Sequence, residues 1–175
     1  MVAAKDLHRG FTHDYISSLL RYDEESGWFY WKISRSRGIK IGQRAGTKRT
    51  EGYRSIEIDG ISFLEHRLAW FLVKRFWPPD RIDHKNLQKD DNKFLNLRLA
   101  THSQNLSNAP IYKNNTSGFK GVSFNSSIGL WCAYITIDQK RRYLGNFDRS
   151  DDAARAYDVE AKKLFGEFAR INFSS

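Results

Sequence analysis

The stretch at 82–105, IDHKNLQKDDNKFLNLRLATHSQN, decides how this chain is read. It crowds two histidines, three aspartates and four asparagines between apolar residues. Short β-like pieces, RID at 81–83 and LRLA at 97–100, bracket a polar loop, and Thr101 or Ser103 can cap a short helix carrying Asn105. A polar, Asn-rich loop is ordinarily just solvated, and the spacing of these residues is what argues for more.

Hydrolysis of a phosphodiester needs a group that accepts the proton of the attacking water and another that neutralises charge building on the phosphate. Histidine, with an ordinary pKa of about 6.5, does the first near neutral pH, and a divalent cation does the second. Hard Mg²⁺ prefers carboxylate and amide oxygens. Asp83 and His84 supply one oxygen ligand and one base from adjacent positions. Neighbours in a strand point to opposite faces, so the histidine can face the water while the aspartate reaches the metal.

Upstream, YISSLLR at 15–21 suits a short helix, DEESG a turn, and WFYW at 28–31 a strand. Alternation at Ile56 and Ile58, a turn at Asp59-Gly60, then Ile61 and Phe63 predict a hairpin leading into the helical HRLAWFLVKRF, which Pro78-Pro79 stop. His66 is expected to open or pack that helix, and Trp28, Trp31, Trp70 and Trp77 to lie in the core. Downstream, KNNTSG at 113–118, rich in Asn, Ser and Gly, is expected to be the linker. Three strands, 119–125, 130–138 and 141–147, then form a meander. A helix follows with Ser150 as N-cap, a face of Ala153, Tyr157, Ala161 and Leu164, and Gly166 as its end.

The formal charge is +9 and the pI about 9.7. Basic residues outnumber acidic ones 14 to 9 in 1–75, 5 to 4 in 76–112 and 10 to 7 in 113–175, so the excess flanks the polar loop. That balance suggests a polyanionic partner. One cysteine, Cys132, excludes an intramolecular disulfide and a four-cysteine zinc site, and with His8 and His13 no structural zinc is expected. The cysteine usage fits a reducing cytosol. The longest apolar run, Leu68 to Val73, is too short to span a bilayer, so no membrane partner is expected.

The DH pair, NLR twelve residues on and QN nine further, together with HRLAW upstream, resemble the HNH homing endonucleases of the ββα-metal group over roughly 55–108. The resemblance implies that His84 is the general base and that Asp83 and Asn105 hold a divalent metal, Mg²⁺ or else Mn²⁺, Asn105 filling a place that takes His or Asn. It implies that Asn96 fixes the loop and the His84 backbone. Asn92 is read as bracing the loop, and His102 as exposed.

From 118 to 173, GFKGVSF, GLWCAYITI, RRYLGNFD and AARAYDVEAKKLFGEFARINF resemble the APETALA2-type DNA-binding domain of plant ethylene-response factors. In that family a three-stranded sheet enters the major groove. The resemblance implies DNA contacts from Lys120, Ser123, Asn125, Tyr134, Thr136, Arg141 and Tyr143. Ser123 and Thr136 are shorter and less basic than the plant pattern, so the plant target site does not carry over. For Tyr134 and Tyr143 plain sheet-face packing is the alternative.

The expected fold is α+β: an N-terminal extension with a small antiparallel sheet at 1–54, a ββα-metal module at 55–112, and at 113–175 a three-stranded antiparallel sheet packed on one helix. The expected function is metal-dependent cleavage of double-stranded DNA in the cytoplasm, or the nucleoid of a host cell, as a homing endonuclease resembling those of phages. The rival is a regulator that binds DNA without cutting it; an RNA-binding protein is weaker because no aromatic RNA-stacking signature is evident. One set per chain suits nicking by a monomer or a double cut by a dimer.

Overall fold

The computed structural model describes residues 10–35 and 38–173. His8, weighed above as a zinc ligand, lies outside them. The fold is mixed α+β, and the chain divides into two compact units, 1–99 and 100–175.

In the first unit, Thr12 caps α1 (His13–Leu19) by accepting from the Tyr15 amide. β1 (Leu20–Asp23) and β2 (Trp28–Trp31) pair antiparallel across a turn closed by Gly27. β3 (Thr47–Lys48), β4 (Arg54–Ile58) and β5 (Ile61–Leu64) form a second antiparallel sheet. Ile58 pairs with Ile61, and the two residues between them, Asp59 and Gly60, both take positive φ. That is the two-residue hairpin expected of Asp-Gly, and it turns Ile56, Ile58 and Phe63 into the core. α2 (Glu65–Lys74) buries Leu68, Ala69, Trp70 and Phe71 against Ile16, Leu20, Phe29 and Trp31. Full burial of each large apolar side chain is worth about 2 kcal/mol.

Two expectations are corrected here. α2 ends before the prolines, because Arg75 takes a left-handed conformation and returns its amide to Phe71 O. Trp28 stays 42% exposed, with the Arg44 guanidinium 3.8 Å from its ring centroid instead of core neighbours.

β6 (Arg81–His84) and β7 (Leu97–Ala100) pair with the polar loop between them. The N-terminal residues grip this loop. Tyr22 donates its hydroxyl to Asn92 O at 2.7 Å, Lys48 pairs with Asp90 at 2.6 Å, and Lys89 donates to Glu51 O at 3.1 Å.

In the second unit, α3 (His102–Asn108) starts at a capping box: Thr101 Oγ1 accepts from the Gln104 amide, and the Gln104 side chain accepts from the Thr101 amide. β8 (Val122–Asn125), β9 (Leu130–Ile137) and β10 (Lys140–Phe147) form the antiparallel meander, with β9 central. α4 (Ser150–Phe165) lies on it through Ala153, Ala154, Tyr157 and Ala161. The alanines leave room for close approach, and Gly121, at φ +76°, lies where a Cβ would strike the Tyr157 ring. The helix begins one residue earlier than expected, with Arg149 as N-cap and Ser150 as its first residue. Phe165, not Leu164, completes its buried face. Asp158 ties down the tail, accepting from the Asn172 amide at 2.8 Å and the Phe173 amide at 2.9 Å.

Candidate active site and nucleic-acid interface

His84 ends β6 and is buried at 5% exposure. Its Nε2 lies 3.1 Å from Asn92 Oδ1, and Asn92 donates through Nδ2 to Glu65 Oε2 at 3.0 Å. Glu65 in turn accepts from Arg54 Nε at 3.1 Å. Asn92 and Glu65 are each 1% exposed. The Asn92 amide therefore grips the imidazole directly and ties it to Glu65. The His66 ring stands edge-on to His84 at 5.2 Å, and Tyr53 tilts against both.

Burial lowers the His84 pKa below its ordinary 6.5, against the opposing pull of Asn92, Asp83, Asp91 and Asp90. Burial, with His84 and Arg67 nearby, takes His66 down to about 3. Both imidazoles are therefore neutral at pH 7, as a proton acceptor must be.

Asp83 is buried on the neighbouring position, and its Oδ2 accepts from Arg98 Nε and Nη2, each at 2.9 Å. Asn96 closes the loop. Its Oδ1 accepts from the Asn86 amide at 3.0 Å, its Nδ2 donates to Asn86 Oδ1 at 2.9 Å and Asp91 O at 2.8 Å, and its carbonyl accepts from the Lys85 amide at 2.9 Å. The residue after His84 is thus pinned by Asn96.

Asn105 sits in the middle of α3, half-buried, and belongs to the second unit. That unit holds α3 at both ends. Ser103 Oγ donates to Asp138 Oδ1 at 2.8 Å and accepts from the Asp138 amide at 3.0 Å. Lys120 Nζ donates to the carbonyls of Leu106 at 3.2 Å, Ala109 at 2.7 Å and Ser107. Burial, with Arg170 nearby, brings the Lys120 ammonium down to about 8.

Among the described residues no group of three His, Cys, Asp or Glu side chains is arranged to hold a metal ion. Asp83 in the first unit offers a carboxylate and Asn105 in the second an amide oxygen, each a donor type that a hard cation takes.

Register places the remaining candidates. Ser123 pairs with Cys132, Asn125 with Leu130, Thr136 with Arg141 and Tyr134 with Tyr143. Alternation puts Ser123, Asn125, Tyr134, Thr136, Arg141 and Tyr143 on the face opposite Val122, Ala133 and Ile135, which pack towards α4. The Arg141 guanidinium lies 3.6 Å from the Tyr134 ring centroid, and the two tyrosine rings are 5.5 Å apart. Asn125 Oδ1 also braces the next turn by accepting from the Ser127 amide at 3.1 Å. Lys120 precedes β8 and is committed to the α3 carbonyls.

The sequence reading missed Glu65, Arg54, Arg98 and Asn146. The glutamate immediately before HRLAW was the one available signal for the first. Asn146 joins the open face because β10 carries a register shift between Tyr143 and Gly145 that changes the parity of the alternation, and it accepts from Cys132 Sγ at 3.1 Å. No helix among the described residues is long and apolar enough to cross a membrane.

No protein-family model matches the chain. It is 42% identical over 62 residues to the APETALA2-like protein 2 of Oryza sativa subsp. japonica, covering 35% of this chain and 14% of that protein. It therefore spans about one seventh of that relative's length. It is 33% identical over 109 residues to the uncharacterized HNH endonuclease L560 of Acanthamoeba polyphaga mimivirus, covering 61% of this chain and 56% of that protein. Protein 3.8 of Escherichia phage T7 is 33% identical over 90 residues, 51% of this chain and 74% of that protein. The chain, which joins likeness to an HNH endonuclease with likeness to APETALA2-type proteins, belongs to the family of phage T7 protein 3.8.

Proposed function

We propose that the chain is a DNA endonuclease that hydrolyses phosphodiester bonds, with His84 as general base and the open face of the β8–β10 sheet as its reader. The observation that carries this is a buried imidazole gripped by a buried amide within the polar loop. His84 accepts a proton from the attacking water while Asn96 keeps the backbone after it in place. We assign Asp83 and Asn105 as the ligands for Mg²⁺ or Mn²⁺, an assignment that rests on the resemblance of the DH and QN elements to HNH endonucleases. When bound, the cation neutralises charge on the scissile phosphate and leaving oxygen. Arg98 orients the Asp83 carboxylate.

The reader positions double-stranded DNA through Ser123, Asn125, Tyr134, Thr136, Arg141 and Tyr143. Arg141 and the two tyrosines offer a cationic, π-rich patch, and Lys120 holds α3 to the unit that carries the reader. A homing role, with nicking by a monomer or a double cut by a dimer, is the biological setting we assign.

The grip of Arg98 on Asp83 is the observation that favours a second reading, a protein that binds DNA without cutting it. Plasmid nicking with Mg²⁺ or Mn²⁺, with and without chelator, separates the two. The expected result is chelator-sensitive nicking that His84→Ala abolishes with DNA binding nearly intact. Full nicking by that variant would sink the base assignment, and no nicking by the unmodified chain on any supplied DNA would favour the second reading. Because His84 is held below its ordinary range, the acid limb of the rate profile should fall below pH 6.5.

A further inference from the structure

Glu65 does not touch the His84 imidazole, yet its bonds determine which ring nitrogen carries the hydrogen. An ionised carboxylate only accepts. Its Oε2 faces the Asn92 side chain at 3.0 Å, so the amide must turn its nitrogen to Glu65 and its oxygen to His84. That oxygen lies 3.1 Å from Nε2 and cannot donate, so Nε2 bears the hydrogen. In a neutral imidazole the accepting nitrogen is then Nδ1. The geometry points to Glu65 as a positioning residue: acting through Asn92, it locks His84 in the Nε2–H tautomer with Nδ1 as proton acceptor. This rests on the reading of His84 as the base.

The surroundings of Glu65 are built for the ionised form. Arg54 donates Nε to Oε1 at 3.1 Å and Nη2 to Gly46 O at 2.9 Å, so one guanidinium clamps both the carboxylate and the chain beside it. Gly46 has φ +83°, and a Cβ there would collide with Glu65 Oε1. Burial pushes the Glu65 pKa up, while Arg54 first, then Asn92 and Arg44, pull it back. The facing charged and titratable groups are thus Arg54 and Arg44 around Glu65, and Asp83, Asp90, Asp91, His66 and Tyr53 around His84. A protonated Glu65 reverses the polarity of the chain of bonds. It would donate to the Asn92 oxygen, the amide would rotate to point its N–H at Nε2, and the hydrogen would move to Nδ1.

The test uses the full chain, ¹⁵N NMR of the His84 ring and single-turnover nicking of plasmid DNA. Glu65→Gln replaces an acceptor with a group that can do either. The expected result is a loss of about 10- to 100-fold in nicking rate, unchanged DNA affinity, and His84 nitrogen shifts moving from the Nε2–H pattern to a mixture. Combining Glu65→Gln with Asn92→Asp moves the negative charge one place. The introduced carboxylate then accepts from both the introduced amide and His84 Nε2–H. Tautomer and rate return. Wild-type tautomer and rate in Glu65→Gln would overturn the assignment, as would a folded double variant whose tautomer stays mixed. Should Glu65→Gln not fold, Arg54→Gln removes the counter-charge instead. It should lose the Nε2–H pattern progressively as pH falls, and a pattern that does not change with pH counts against the assignment. Undiminished nicking by His84→Ala would remove the base reading alone, since the tautomer is read independently of activity.

Discussion

His66 and His84 stand 5.2 Å apart, with different demands on their protons. His84 has Asn92 on Nε2, whereas Nδ1 of His66 is buried with no hydrogen-bond partner, so a proton there has nothing to share its charge. His66 takes its proton at about pH 3 when folded and at its ordinary 6.5 when unfolded. The unfolded chain therefore gains the proton first, and the folded state loses ground as pH falls from 6.5 towards 3. The first unit should lose on the order of a few kcal/mol across that window. Urea denaturation at stepped pH should show this slope, and His66→Phe should flatten it. A slope unchanged in that variant would assign the acid sensitivity elsewhere. A second prediction concerns Gly27, whose φ is +74° and where a Cβ would run into the backbone of Asn92 and Lys93. Gly27→Ala should shift the loop and lower the nicking rate at least tenfold, by displacing the amide that holds His84.

At the scale of the element, the strained turns and the close contacts decide stability. Gly121 combines φ +76° with a position where a Cβ would strike the Tyr157 ring and Tyr134 O. Gly121→Ala should destabilise the second unit by about 2–3 kcal/mol, read as a lowered thermal transition. Thr101→Ala, which removes the capping box of α3, should cost about 1 kcal/mol. Much of this level was legible in the sequence. The Asp59-Gly60 hairpin, the LRLA strand, the meander and the alanine face of α4 follow from turn chemistry and periodicity, which are local. The parts that were not legible are long-range. Glu65 and Asn92 are 27 positions apart and meet only through the tertiary fold, and the one local sign of Glu65 was its place immediately before HRLAW. Asn146 was hidden by an irregular register, and the end of α2 by a left-handed Arg75 that acts before Pro78 can.

For the whole molecule, the charge of +9 sets the expectation for binding. Affinity for DNA should fall steeply with salt, in proportion to the phosphates neutralised, when titrated from about 50 to 200 mM. Replacing Arg141 and Tyr143 by alanine in the full chain should reduce preference for a cleaved site while leaving the nicking rate at saturating DNA unchanged. Equal site selectivity in that variant would remove the sheet from the reader role. The sequence division at 112, drawn from the Asn- and Ser-rich stretch, and the compact units that part at 99 and 100 treat α3 differently. Composition marks where a chain is polar, whereas the hydrogen bonds of Lys120 and Ser103 mark what folds together.

Those bonds bear on how such a protein could be cut and rejoined. A chimera that exchanges targeting specificity by splicing in the KNNTSG stretch would leave the Lys120 ammonium facing carbonyls of a foreign helix, and Asp138 without its serine. A crossover immediately before Ala100 carries α3, its clasp and Asn105 across as one heritable piece, so whatever chooses the DNA brings one of the proposed cation ligands with it.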